Sequence, residues 1–139
     1  ADLSNSNLSG VNLSGLDLSG VKLAGVDLSG KDLTGTIFDC IITTIAIPCV
    51  NFVDTNLENA NLTGASFVDT DLTKIKNKSL AGANLSGASF AHSNLSSVNL
   101  SGTILGATNF WGADLSGQDL VIIYYVNTFL YHLKNTLFG

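Results

Sequence analysis

Leu or Phe returns at every fifth position along most of this chain. The centres run Leu3, Leu8, Leu13, Leu18, Leu23, Leu28, Leu33 and Phe38, resume at Phe52, Leu57, Leu62, Phe67 and Leu72, and resume again from Leu80 through Leu120. Such a beat of 22 centres fits neither the 3.6-residue period of an amphipathic helix nor the two-residue period of a strand. A short fixed period marks a solenoid, whose repeats bury their apolar faces only by stacking. The residue two before each centre is mostly small or apolar, as at Val21, Val26, Ala60, Ala65, Ala83 and Val98. The residue just before the centre is usually Asp or Asn, and the one after it is usually Ser or Thr. Twelve of the 14 glycines take the next place, so that place calls for a turn. Two inward positions spaced by two predict a short extended segment. Three polar residues that accept turn dihedrals predict a corner after it. Coils closed by such corners stack about 4.8 Å apart, each pairing its backbone with the next.

This A-(D/N)-L-x-x pattern, carried from Ala1 to about Leu120, resembles the pentapeptide-repeat family. The resemblance implies an all-β fold, a right-handed quadrilateral β-helix with four pentapeptides per coil. The central Leu or Phe would fill its interior together with the small residue two before it. Phe90 and Phe110, 20 residues apart, would lie on one face of adjacent coils and stack. Lys31 and Gln118 depart from the pattern by standing at the small inward position. An unpaired buried ammonium is costly. Either the corner everts there, which is the expectation, or a partner group satisfies the side chain.

The repeat spans residues 1–120 with breaks at 39–50 and 74–79. The first break puts 14 residues between Phe38 and Phe52, and reads as a degenerate coil carrying Ile or as a bulged loop. It holds the only Pro and both cysteines. Cys40 and Cys49 would form a disulfide staple in an oxidising compartment, or remain two buried thiols. The second break contains Lys74, Lys76 and Lys78, the one charge cluster, expected as a solvated loop rather than a dock for an acidic partner. Residues 121–139 leave the repeat. They form an apolar, aromatic segment expected to cap the open end of the solenoid, to join subunits, or both. After residue 127 the pattern fits a helix with Phe129, Leu130, Leu133 and Leu137 on one face. The alternation Phe129, Tyr131, Leu133 fits a strand equally.

Composition narrows the function classes. Charged residues make up 12% of the 139, the net charge is −5, and every basic residue is Lys, which argues against phosphate or nucleic-acid binding. No apolar run reaches bilayer length, so no membrane insertion is expected. The absence of Met suits a trimmed leader, and equally a fragment, ordinary Met removal or a cut fusion. With the cysteine pair it favours an extracytoplasmic or secreted location, a cytoplasmic one staying open. No nucleophile–base pair stands out, and no metal or cofactor site: His92 and His132 are isolated, and Asp and Ser recur because the repeat calls for them. The Asn-Leu-Ser and Asn-Leu-Thr glycosylation sequons fall out of the repeat in the same way. The expected function is therefore a non-enzymatic structural scaffold that associates through its ends, in a stacked assembly or filament. Its candidate contacts are Leu3 and Leu8 at one end, Tyr124, Tyr125, Phe129, Tyr131 and Leu133 at the other, and the outward Trp111. Head-to-tail pairing of copies is preferred to a C-terminal dimer. The family resemblance supplies an alternative, since some pentapeptide-repeat proteins mimic DNA and bind DNA gyrase. A flat Ser/Thr face for ice or carbohydrate is disfavoured, because outward Ser far outnumbers Thr.

Overall fold

The computed structural model describes residues 1–41 and 49–119. Parallel backbone bridges join residues 20 apart, among them Asp2 to Lys22, Asp17 to Ile37, Asn84 to Ile104 and Asn94 to Asp114. Four pentapeptides thus close one coil, and the fold is a right-handed quadrilateral β-helix. Coil 1 is centred on Leu3, Leu8, Leu13 and Leu18, and coil 2 on Leu23, Leu28, Leu33 and Phe38. Coil 3 is centred on Phe52, Leu57, Leu62 and Phe67, coil 4 on Leu72, Leu80, Leu85 and Phe90, and coil 5 on Leu95, Leu100, Leu105 and Phe110. Leu115 opens coil 6. The first centre of each coil defines one face, the second the next, and so on to the fourth.

Each repeat position has one physical task. The centre's carbonyl accepts the N–H three residues on, as from Ser6 to Leu3 (3.0 Å) and from Ala88 to Leu85 (3.0 Å). The residue between, two after the centre, has a left-handed φ, +77° at Gly10 and +75° at Gly117, as the third position of a type II turn requires. Asp or Asn before the centre accepts the N–H two residues on, as from Ser4 to Asp2 and from Ser86 to Asn84, both 3.0 Å. This local bond is why the repeat prefers those two side chains. Three inward threonines donate to a centre in the coil before: Thr36 to Leu13 (2.9 Å), Thr55 to Leu23 (2.8 Å) and Thr108 to Leu85 (2.8 Å). A buried hydroxyl is thereby satisfied at no loss of packing.

The core is a column of these centres. Leu23, Leu28, Leu33, Leu57, Leu62 and Leu85 are fully buried. On the fourth face the rings of Phe38, Phe67, Phe90 and Phe110 stack in sequence, with centroids 4.9, 4.9 and 5.5 Å apart.

Both breaks are insertions at corners. Between coils 2 and 3 the bridges join Lys22 to Asn51, Asp27 to Asn56, Asp32 to Asn61 and Ile37 to Ser66, a register of 29. Nine residues therefore leave the coil path after Cys40 and return at Val50, which is buried at the inward position. The coils on either side thus resume in register; residues 42–48 of the first break lie outside the described residues. The Cys40 and Cys49 sulfurs are joined, with Cα atoms 4.4 Å apart. Between coils 3 and 4 the register becomes 23, as from Asn61 to Asn84 and Ser66 to Ser89. The three extra residues are the 3-10 turn Lys76–Lys78, and Ile75 fills the inward place before it.

The corners at Lys31 and Gln118 do not evert, contrary to expectation. Each keeps its turn bond, from Lys31 N–H to Leu28 (3.2 Å) and from Gln118 N–H to Leu115 (3.3 Å). The Lys31 ammonium donates to the Val11 carbonyl of coil 1 at 2.9 Å. The Gln118 amide donates to the carbonyls of Leu95 (3.0 Å) and Val98 (2.8 Å). Carbonyls of the preceding coil were the missing partners.

Candidate interaction surfaces

The open edge of coil 1 presents apolar side chains and unpaired backbone together. Leu8 is buried and Leu3 partly buried against the core. Val11 and Leu16, at the inward positions between them and the rest of the coil, are 44% and 45% exposed, whereas Val21, Val26 and Thr36 at equivalent places in coil 2 are buried. Among the described residues the amides of Asn7, Asn12 and Asp17 donate to no backbone carbonyl, whereas their counterparts deeper in the stack, such as Asn56, Asn61 and Ser66, donate to the coil before. Coil 1 is bridged to coil 2 at Asp2–Lys22 and Asp17–Ile37, either side of the stretch that Lys31 reaches across. Periodicity alone placed Leu3 and Leu8 in the first coil but missed Val11 and Leu16. Among the described residues no coil covers their outer side. Tyr124, Tyr125, Phe129, Tyr131 and Leu133 lie outside the described residues, as does the segment 121–139.

Trp111 lies on the lateral fourth face, not at an end. Its side chain is 51% exposed, and the exposed His92 imidazole of the coil before meets the indole edge-on, with centroids 4.6 Å apart and planes at 72°. His92 fits there because Gly112 has no side chain; a Cβ would collide with the imidazole.

The carboxylates are corner formers. Asp2, Asp17, Asp27, Asp32 and Asp114 are held below the usual carboxylate range, first by the hydroxyl of the Ser or Thr two residues on and then by that residue's N–H. All five therefore stay ionised at neutral pH, which suits a fixed acceptor and not a general acid. Asp39 plays the part for the next coil: its carboxylate accepts from Ser66 (2.6 Å) and from the Val68 N–H (2.8 Å). Lys22 and Asp2 form an exposed ion pair at 3.4 Å, worth little in water. Among the described residues no group of His, Cys, Asp or Glu is arranged to hold a metal ion, and no helix is long and apolar enough to cross a membrane.

The comparisons with known proteins agree with this geometry. The Pentapeptide repeats family matches residues 1–39, 50–76 and 79–106, in eight copies. No curated protein matches the chain in sequence. Among solved structures, full-length QnrB1, a plasmid-mediated fluoroquinolone resistance protein, is similar with a TM-score of 0.57 and 23% identity. That match covers 95% of this chain but spans only 65% of QnrB1. A pentapeptide repeat protein from the thylakoid lumen of Arabidopsis thaliana is similar with a TM-score of 0.50 and 24% identity, over 83% of this chain and 77% of that one. At such identities the likeness is one of fold. The matched residues skip the two corner insertions and follow the coils, and on that footing the chain belongs to the pentapeptide-repeat family, as a β-helical scaffold.

Proposed function

We propose that this chain is a non-enzymatic scaffold that associates with copies of itself through the ends of its β-helix. The observation that carries the reading is the edge of coil 1, where exposed Val11 and Leu16 lie beside amides that find no backbone partner among the described residues. An apolar cross-section rimmed by free N–H groups is a template for another chain. The aromatic residues Tyr124, Tyr125, Phe129 and Leu133 of a neighbour supply the matching surface in this proposal. A head-to-tail contact of that kind is heterologous and propagates unless its rotation closes. An extracytoplasmic location, where a Cys40–Cys49 bond persists, goes with the same reading.

The alternative is a DNA mimic that binds a type II topoisomerase such as gyrase. Row by row the acids lend it little support. Along the first face the residues before the centres are Asp2, Lys22, Asn51, Asp71, Asn94 and Asp114, and among the described residues no outward row carries carboxylates on two consecutive coils. A phosphate backbone is an unbroken ladder of charge. Light scattering across a concentration series tests the proposal, with Leu16→Asp and Tyr125→Asp as perturbations. Assembly that grows with concentration and is lost in both variants is expected. Monomers at tens of micromolar would refute it, and finite dimers that inhibit gyrase supercoiling would replace it with the alternative.

A further inference from the structure

End-to-end stacking leaves the fourth face unused, and we infer that this face around Trp111 is a binding platform for a neutral carbohydrate. Bridges place Ser66, Ser89 and Asn109 in register on consecutive coils, one rung about every 4.8 Å. The neighbouring row on the same face is Val68, Ala91 and Trp111. None of these six side chains is charged, although Asp is frequent at the same repeat positions elsewhere. The strip therefore offers small apolar groups, hydroxyls, one amide and one large ring.

The ring is held in place. The His92 imidazole meets it edge-on, the Trp111 backbone N–H donates to the Asn109 side-chain Oδ1 at 2.9 Å and so fixes the backbone that carries the ring, and the Asn109 amide nitrogen lies 3.5 Å from Ser89 Oγ. A half-exposed indole fixed in this way has no packing role that needs its size, since Ala91 and Val68 serve one and two coils before it. It has instead a flat π-surface beside polar groups that keep some capacity: the second N–H of the Asn109 amide, the Ser89 hydroxyl proton, and the Ser66 oxygen as an acceptor, its own proton going to Asp39. A pyranose matches that pair, with C–H groups on one face for the ring and hydroxyls at its edge for the row. Nucleobases also stack on aromatic rings, but they bring phosphates. No Lys stands in these rows to receive a phosphate, and Asp39 and Asp69 on the same face repel one. Neutral glycan is thus the class that the strip accepts. A whole-face Ser/Thr array is not required, because one ring and three polar groups carry the recognition.

Trp111 is the only tryptophan, so intrinsic emission reports on this site alone. The full chain is run through native gels containing hydroxyethylcellulose, laminarin, galactomannan or, as an anionic control, alginate, and emission is titrated with the soluble forms. Retardation by at least one neutral polysaccharide is expected, with a change in emission and no effect of alginate. Trp111→Ala should weaken it by about tenfold or more, the worth of one aromatic stack, and Trp111→Tyr should retain part. Asn109→Ala should weaken it several-fold with the fold intact by circular dichroism. Three results would each overturn the inference: no retardation by any neutral polymer, equal retardation of Trp111→Ala, or retardation by alginate alone. An emission change that follows protein concentration without added sugar would overturn it too, since the ring would then contact a second copy.

Discussion

Phe67→Ala should be among the most damaging single changes available to this chain. Phe67 is fully buried, and its ring lies between Phe38 (4.9 Å, 19°) and Phe90 (4.9 Å, 3°), with Phe52 tilted against it at 5.9 Å. Truncating a buried Phe to Ala costs about 3–5 kcal/mol from lost transfer energy and the cavity left behind. Coil 1 carries Leu18 at the equivalent place, so Phe67→Leu fits the slot and removes mainly the ring contacts. At about 0.5–1.5 kcal/mol per aromatic pair, losing the two stacked partners costs about 1–3 kcal/mol. The stack itself is isolated by a double-mutant cycle on Phe67→Leu and Phe90→Leu, read by urea unfolding with circular dichroism. A coupling of about 0.5–1.5 kcal/mol is expected for this pair. Phe52 and Phe110 share neither a ring contact nor a ring neighbour, and their cycle should close within about 0.5 kcal/mol. A Phe67–Phe90 coupling no larger than that of the control pair, or a Phe67→Ala cost below about 1 kcal/mol, would refute the stacked column as a source of stability.

Gly112→Ala should cost about 1–2 kcal/mol for the left-handed φ of +70° and more for displacing His92, the excess vanishing in a His92→Ala background; Gly30→Ala, in open space at +64°, should show the φ cost alone, all by thermal melts. Removing the staple with Cys40→Ser should lower stability by about 2–3 kcal/mol in the chain-entropy model while leaving the β-helix circular dichroism unchanged. Two alkylatable thiols in an unreduced wild-type sample would deny the bond. Asp32→Asn tests the carboxylate turns. The Thr34 hydroxyl and N–H lower the folded pKa of Asp32, so its stabilisation is present above the unfolded value of about 3.9 and is lost as pH falls through the lower folded value. Asn keeps the acceptor, as Asn61 does in the next coil, so wild type and variant should differ slightly at pH 7 and converge near pH 2 by denaturant midpoints. A gap that widens in acid would contradict the assignment.

How far the sequence announces this fold depends on the scale of the interaction. The coil repeats one local solution, so a five-residue window reveals the inward Leu, the Asx turn at Asp32 and the left-handed glycine at Gly112. Contacts between coils are different, because they pair residues that the period does not connect by itself. Lys31 reads as a misfit until Val11 is seen 20 residues earlier with a carbonyl to offer. Asp39 looks like a residue out of phase until Ser66 and Val68 are found to lack a turn acceptor of their own. The insertions are invisible to the same extent: the sequence counts 14 residues from Phe38 to Phe52, but only the bridge from Ile37 to Ser66 tells that coil 3 resumes in register. Exposure depends on the neighbouring coil and not on the repeat position, since Val11 and Leu16, uncovered on one side among the described residues, share their position with buried Val21, Val26 and Ala60.

The two corner insertions make the solenoid a display rod of fixed pitch. The longer one leaves at the edge between the fourth and first faces and the shorter at the edge between the first and second, so both border the first face. Because every coil advances about 4.8 Å whatever its contour length, their vertical offset is set by counting coils and is untouched by how many residues each carries. A segment grafted in place of Lys76–Lys78 would hold its height and azimuth relative to Cys40 and Cys49. Moving it by whole coils would shift it in steps of one rung, which gives the scaffold the properties of a molecular ruler.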